Sequence, residues 1–94
     1  AIERALATQR AARVRRNRLD ALRGDLARLT HRERQVFDLI VRGRINKQAA
    51  HELGTTERTV KAHRQQVMEK MQVNSLAELV SIAERLGMLD PNEN

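Results

Sequence analysis

The 94-residue sequence has no cysteine, tryptophan or tyrosine, a single phenylalanine at 37 and a single proline at 91. Without cysteine there is no disulfide framework, no thiolate metal site and no cysteine nucleophile, which fits a reducing compartment. With one aromatic ring, a groove that stacks unpaired bases is excluded, and aliphatic side chains and methionine must fill the core. Apolar runs stop after a few residues, as in Leu39-Ile40-Val41, too short for a bilayer span or a secretory segment. One soluble, cytoplasmic domain with no membrane partner is therefore expected. No phosphate loop, paired-carboxylate cleft or Ser/His/Asp arrangement is visible, and His31, His51 and His63 lack metal-site spacing. Neither enzymatic chemistry, nor a cofactor, nor a metal is expected.

What is present is positive charge in two blocks. Lys and Arg total 18 against 12 Asp and Glu, a net +6, which makes a polyanion a reasonable partner. Residues 1–28 hold eight Arg against Glu3, Asp20 and Asp25. Residues 42–64 carry Arg42, Arg44, Lys47, Arg58, Lys61 and Arg64 against Glu52 and Glu57, whereas residues 65–94 are net acidic.

The pattern reads as all-α. Thr30-x-x-Glu33 is a capping box that opens a helix with Val36, Phe37, Ile40 and Val41 on one face, and Gly43 suits its left-handed end. Asn46 is a candidate N-cap for a short helix to about Leu53, closed by Gly54. A third helix follows Thr55-Thr56 and runs to about Gln72. Ser75-x-x-Glu78 opens a fourth, with Leu76, Leu79, Val80, Ala83 and Leu86 on one face and Gly87 at its end. Residues 1–28 are too arginine-rich to hide in a globule and predict a protruding helix. Its Leu19, Leu22, Leu26 and Leu29, spaced 3, 4, 3, form a short seam for a partner helix, though the register meets Arg15, Ala12 and Thr8 further back. The start at Ala rather than Met predicts a fragment of a longer protein. The expected division is a protruding helix over 1–28 and a four-helix unit over 29–94.

The segment from Asn46 to Lys61 reads as helix, turn, helix: Ala50 is small where two helices cross, Gly54 permits the turn, and Val60 packs the second helix on the first. At about 100° per residue with Val60 as zero, Val67 and Met71 share its face. Arg58, Lys61, Ala62 and Gln65 fall on the opposite side, between about 100° and 200°. Long donors around a small methyl suit the major groove, where they reach base edges. His63 and Arg64 flank the inward stripe as candidate phosphate contacts, joined by Thr56, Thr59 and the helix start at Asn46 and Lys47. Met68 and Met71 read as core filler.

Residues 29 to about 86 closely resemble the LuxR-type helix-turn-helix of FixJ/NarL response regulators. The resemblance rests on Leu29-Thr30-x-Arg32-Glu33-x-x-Val36, Gly43-x-x-Asn46-Lys47-x-Ala49-Ala50-x-x-Leu53, Thr59-Val60-Lys61-x-His63 and Val67-x-x-Lys70-Met71-x-Val73. Asn74 to Val80 is similar to the last helix of the FixJ branch, and Ala1 to Leu6 to the end of its receiver domain. It implies a four-helix output domain that binds double-stranded DNA through Lys61, Ala62 and Gln65. It also implies a homodimer formed by the last helix, with Leu76, Leu79, Val80 and Ala83 as the contacts taken from its apolar face. A phosphorylatable receiver domain, its sensor kinase and RNA polymerase would be further partners. A protein-interaction module and a sigma-factor-like promoter reader are the alternatives.

Overall fold

The structure, a computed structural model, describes the backbone of residues 2–89 and the side chains of residues 10–89. The side chains of Ala1 to Leu6 and of Thr8, and the tail from Asp90, lie outside the described residues. Five helices follow in order: α1 (Ile2–Ala27), α2 (His31–Ile40), α3 (Asn46–Leu53), α4 (Glu57–Lys70) and α5 (Leu76–Arg85).

Helix starts follow from short polar side chains. Thr30 accepts from the Glu33 amide at 3.2 Å while Glu33 accepts from the Thr30 amide at 3.0 Å, the reciprocal pair that the capping box predicts. Thr56 caps α4 by accepting from the Thr59 amide at 3.1 Å. Ser75 caps α5 through the Glu78 amide at 3.2 Å, but the Glu78 carboxylate reaches the Asn74 amide rather than that of Ser75. α3 departs from expectation by one residue: its N-cap is Ile45, which has no acceptor to offer, and Gln48 accepts from the Ile45 amide at 3.0 Å. Asn46 is already helical, so its side chain is free for another role.

The four later helices end alike. The amide of the residue after a left-handed position donates five residues back: Arg44 to Leu39, Thr55 to Ala50, Val73 to Met68 and Met88 to Ala83, all between 2.9 and 3.1 Å. Three of the left-handed positions are Gly43, Gly54 and Gly87; the fourth is Gln72 at φ 57°. Gly24, by contrast, lies inside α1, which runs through it.

Packing of these amphipathic helices buries Val36, Phe37, Ile40, Ala49, Ala50, Val60, Val67, Met71, Leu79, Ile82 and Ala83 in one cluster. α4 is the centre, packed against both α2 and α3. Most of the leucine seam is used within the chain: Leu22 and Leu26 of α1 and Leu29 just beyond it pack against this cluster, which corrects the expectation that the whole seam faces a partner helix, while Leu19 stays half-buried outside the cluster. The rest of α1 projects, and the molecule extends 58 × 28 × 20 Å.

Candidate nucleic-acid interface

The candidate surface is the outer side of α4 together with the start of α3. Val60 and Val67 are fully buried, as the helical phase requires if α4 is anchored along one stripe. That anchoring leaves Arg58, Lys61, Ala62 and Gln65 exposed together. Among the described residues no ion pair or side-chain hydrogen bond reaches Arg58, Lys61 or Gln65, so their donors face outward uncommitted. Glu57 stands in the first turn of α4, where a carboxylate favours the helix dipole.

The turn between α3 and α4 sets the angle at which this face is presented. Gly54 takes φ 66° and ψ 38°, a conformation costly for a residue with a Cβ, and the Thr55 amide closes onto the Ala50 carbonyl at 2.9 Å. Ala49 and Ala50 are buried at the crossing, where larger side chains would push α3 away from α4. A second tie comes from the helix flanks: Arg64 Nη1 donates to Asn46 Oδ1 at 3.3 Å, joining mid-α4 to the first residue of α3. Both residues are half-buried, so this contact positions the arginine beside the α3 amides.

The candidate phosphate contacts divide by this geometry. Lys47 is exposed at the start of α3, with no ion pair among the described residues, and Arg64, Asn46 and Lys47 line one shallow surface depression with Arg44, Ile45, Glu57 and Leu76. Thr56 and Thr59 are exposed, but their hydroxyls are engaged with each other at 2.9 Å as part of the α4 cap. His63 is half-buried on the flank near Glu33 rather than fully presented outward. Arg44 was not singled out by spacing, although it stands in the basic stretch; it pairs with Glu52 of α3 at 3.3 Å, and both side chains remain partly exposed. Ile45, at 59% exposure beside this cluster, carries no sequence signal of its own.

The far end of α4 is held by a charged contact. Lys70 Nζ lies 2.6 Å from Glu33 Oε1 and 3.4 Å from the Arg28 carbonyl, so it joins α4 to the start of α2 and the end of the linker segment. Burial pushes the Glu33 carboxyl up, but the hydrogen bonds from Lys70 and the Thr30 amide, with the charges of Lys70 and His63, outweigh it and leave the group below its ordinary value.

The face assigned to α5 needs correction. Leu79 and Ala83 have no exposed surface; they point into the chain's own core and are removed from the dimer contacts expected of them. Leu76 and Val80 are half-buried at its edge and remain accessible. Among the described residues no group of three His, Cys, Asp or Glu side chains is placed to hold a metal ion, and no helix is long and apolar enough to cross a membrane.

Residues 27–83 match the model of the bacterial regulatory proteins of the luxR family. The chain belongs to that family. A LuxR-family helix-turn-helix is a DNA-binding regulatory domain, and the all-helical architecture agrees with it. The response regulator TodT of Pseudomonas putida is 45% identical over 69 residues, which cover 73% of this chain and 30% of that protein. The transcriptional regulatory protein FixJ of Bradyrhizobium diazoefficiens is 48% identical over 65 residues, 69% of this chain and 32% of that protein. Full-length FixJ from B. japonicum matches in structure with a TM-score of 0.79 at 39% identity, over 94% of this chain and 43% of that one. The LuxR-family chain thus spans about a third of the length of these curated relatives.

Proposed function

We propose that this LuxR-family domain is the sequence-reading output part of a two-component response regulator and places the N-terminal half of α4 in the DNA major groove. The observation that carries this reading is the burial of Val60 and Val67, which turns Arg58, Lys61, Ala62 and Gln65 outward as one uncommitted donor-and-methyl surface. Lys61, Gln65 and Arg58 read base edges, and Ala62 lies against a base, as close as a methyl permits. Asn46, Lys47, Arg64, Thr56, Thr59 and His63 meet the sugar-phosphate backbone around it, with the α3 amides contributing their partial positive charge.

The relatives named as response regulators are about three times longer than the matched segment, which supports a receiver domain and sensor kinase acting on the full-length protein. Two copies on paired half-sites, joined across Leu76 and Val80, give the DNA-bound dimer, and RNA polymerase is the downstream partner of such a regulator. The chain performs no chemistry of its own.

The deciding measurement is a gel-shift series on selected and scrambled duplexes at several salt concentrations. Lys61→Ala costs about 1–3 kcal/mol on the selected duplex and little on the scrambled one. Lys47→Ala weakens both alike and lowers the salt slope by about one unit. Equal loss on both duplexes for Lys61→Ala removes the base-reading assignment. A chain that shifts no duplex unless RNA polymerase is added instead favours a sigma-factor-like reader. Val80→Arg, used at a temperature where its melting curve shows the chain still folded, abolishes cooperative filling of two half-sites; unchanged cooperativity removes α5 from the dimer.

A further inference from the structure

The outer part of α1 meets α5 in a trough of about 400 Å³, lined by Arg15, Arg18, Leu19, Leu22 and Arg85. It opens, past the shared Arg18, Leu22 and Arg85, into a second hollow of about 550 Å³ walled by Met71, Val73 and Ile82. Arg15, Arg18, Leu19 and Leu22 recur at the spacing of one helical face, so the two guanidinium groups flank an apolar floor. Arg85 faces them from the end of α5.

Charge identifies the occupant. The two carboxylates lining the inner hollow are already engaged: Asp25 lies 3.7 Å from Arg28, and Glu78 accepts from the Asn74 amide at 2.9 Å. Among the described residues, no ion pair reaches Arg15, Arg18 or Arg85. Three cations around two leucines fit an apolar side chain flanked by carboxylates. A second copy of α1 is disfavoured, because Arg10, Arg13 and Arg16 would bring like charge into the same trough. Duplex DNA is disfavoured by the apolar floor and by position: the hollow reaches the C-terminal end of α4, about 9–20 Å along the helix from Gln65 and Arg58, the residues assigned to the groove.

We propose that the trough between α1 and α5 docks an acidic, leucine-bearing protein segment, with carboxylates paired to Arg15, Arg18 and Arg85 and a leucine seated on Leu19 and Leu22. The site is separate from the DNA-reading face, and the domain can engage both partners at once.

An amide-shift titration of the isotopically labelled 94-residue chain tests it, using a short helical peptide of glutamate with leucines at positions i, i+3 and i+7. Shifts concentrate at Leu19, Leu22, Ile82 and Arg85, and affinity falls at least tenfold when glutamine replaces the peptide leucines. The exposed double substitution Arg15→Glu with Arg18→Glu lowers affinity at least tenfold, while its melting curve and duplex binding stay unchanged; Arg85→Gln gives a smaller loss in the same direction. The proposal is overturned by absence of shifts at millimolar peptide, by shifts centred on Lys61 and Gln65, by equal binding of the glutamine peptide, or by displacement of the peptide with duplex DNA. Loss of duplex binding by an unaltered chain would instead sink the DNA-binding reading and leave this one standing.

Discussion

At Glu33, burial and ion pairing oppose each other, and the pairing with Lys70 prevails. A carboxyl whose folded-state value lies below its unfolded one contributes stability at pH above the ordinary value near 4.5, and that contribution disappears as pH falls through the lowered value. Glu33→Gln therefore costs about 2 kcal/mol at pH 7, where Lys70 would be left half-buried without its counter-ion, and much less near pH 3. Urea denaturation of both proteins across that range checks it; a gap independent of pH would show that the carboxylate charge is not what stabilises the contact. Gln72 makes the opposite point. It holds a left-handed conformation that the equivalent ends of α2, α3 and α5 give to glycine, so Gln72→Gly raises stability by about 0.5–1 kcal/mol, measurable as a higher urea midpoint at unchanged slope. The turn glycine responds in reverse: a Cβ at Gly54 meets nothing within 4 Å, so Gly54→Ala pays only the conformational cost of about 1 kcal/mol. Thermal melts should show that loss with no change in the duplex sequence preferred.

The elements explain which readings could be made in advance. Starts of α2, α4 and α5 were legible because Thr30, Thr56 and Ser75 announce themselves chemically, and the outward face of α4 was legible because Val60 and Val67 fix its phase. α3 hid its start, since Ile45 has no capping atom and the amide is satisfied by Gln48 instead. The Arg64–Asn46 tie was invisible for a related reason: 18 residues separate the partners, and only the angle of the turn brings them together. α5 was legible as an amphipathic helix but not in its facing. Leu79, Ala83 and Leu86 lie within about 60° of one another and serve the chain's own core, while Leu76 and Val80, half-buried at its edge, sit about 60–100° round from Leu79. Periodicity cannot tell an apolar stripe owed to the core from one left for a second copy. Nor can it tell that Leu22, Leu26 and Leu29 turn back onto their own domain.

For a compact chain of this length a radius of gyration near 12 Å is usual, whereas the value here is 16.3 Å. The excess comes from α1, whose outer half leaves the body beside α5 and the C-terminal end of α4. If that half carried DNA-bound charge, removing it would strip several counter-ion-releasing contacts, each worth about 0.9 in the salt slope on B-form DNA. The proposed footprint argues otherwise, because the exposed α4 residues assigned to the groove run from Arg58 to Gln65 and lie with the α3 start, away from the trough that α1 lines. Removing residues 1–14 keeps Leu22, Leu26 and Leu29 on the core and so leaves a folded domain. Its salt slope on the selected duplex should match that of the longer chain to within about half a unit, while small-angle scattering shows a smaller radius. A slope lowered by two or more would place arginines of the removed segment on DNA phosphates and make the arm part of the nucleic-acid footprint.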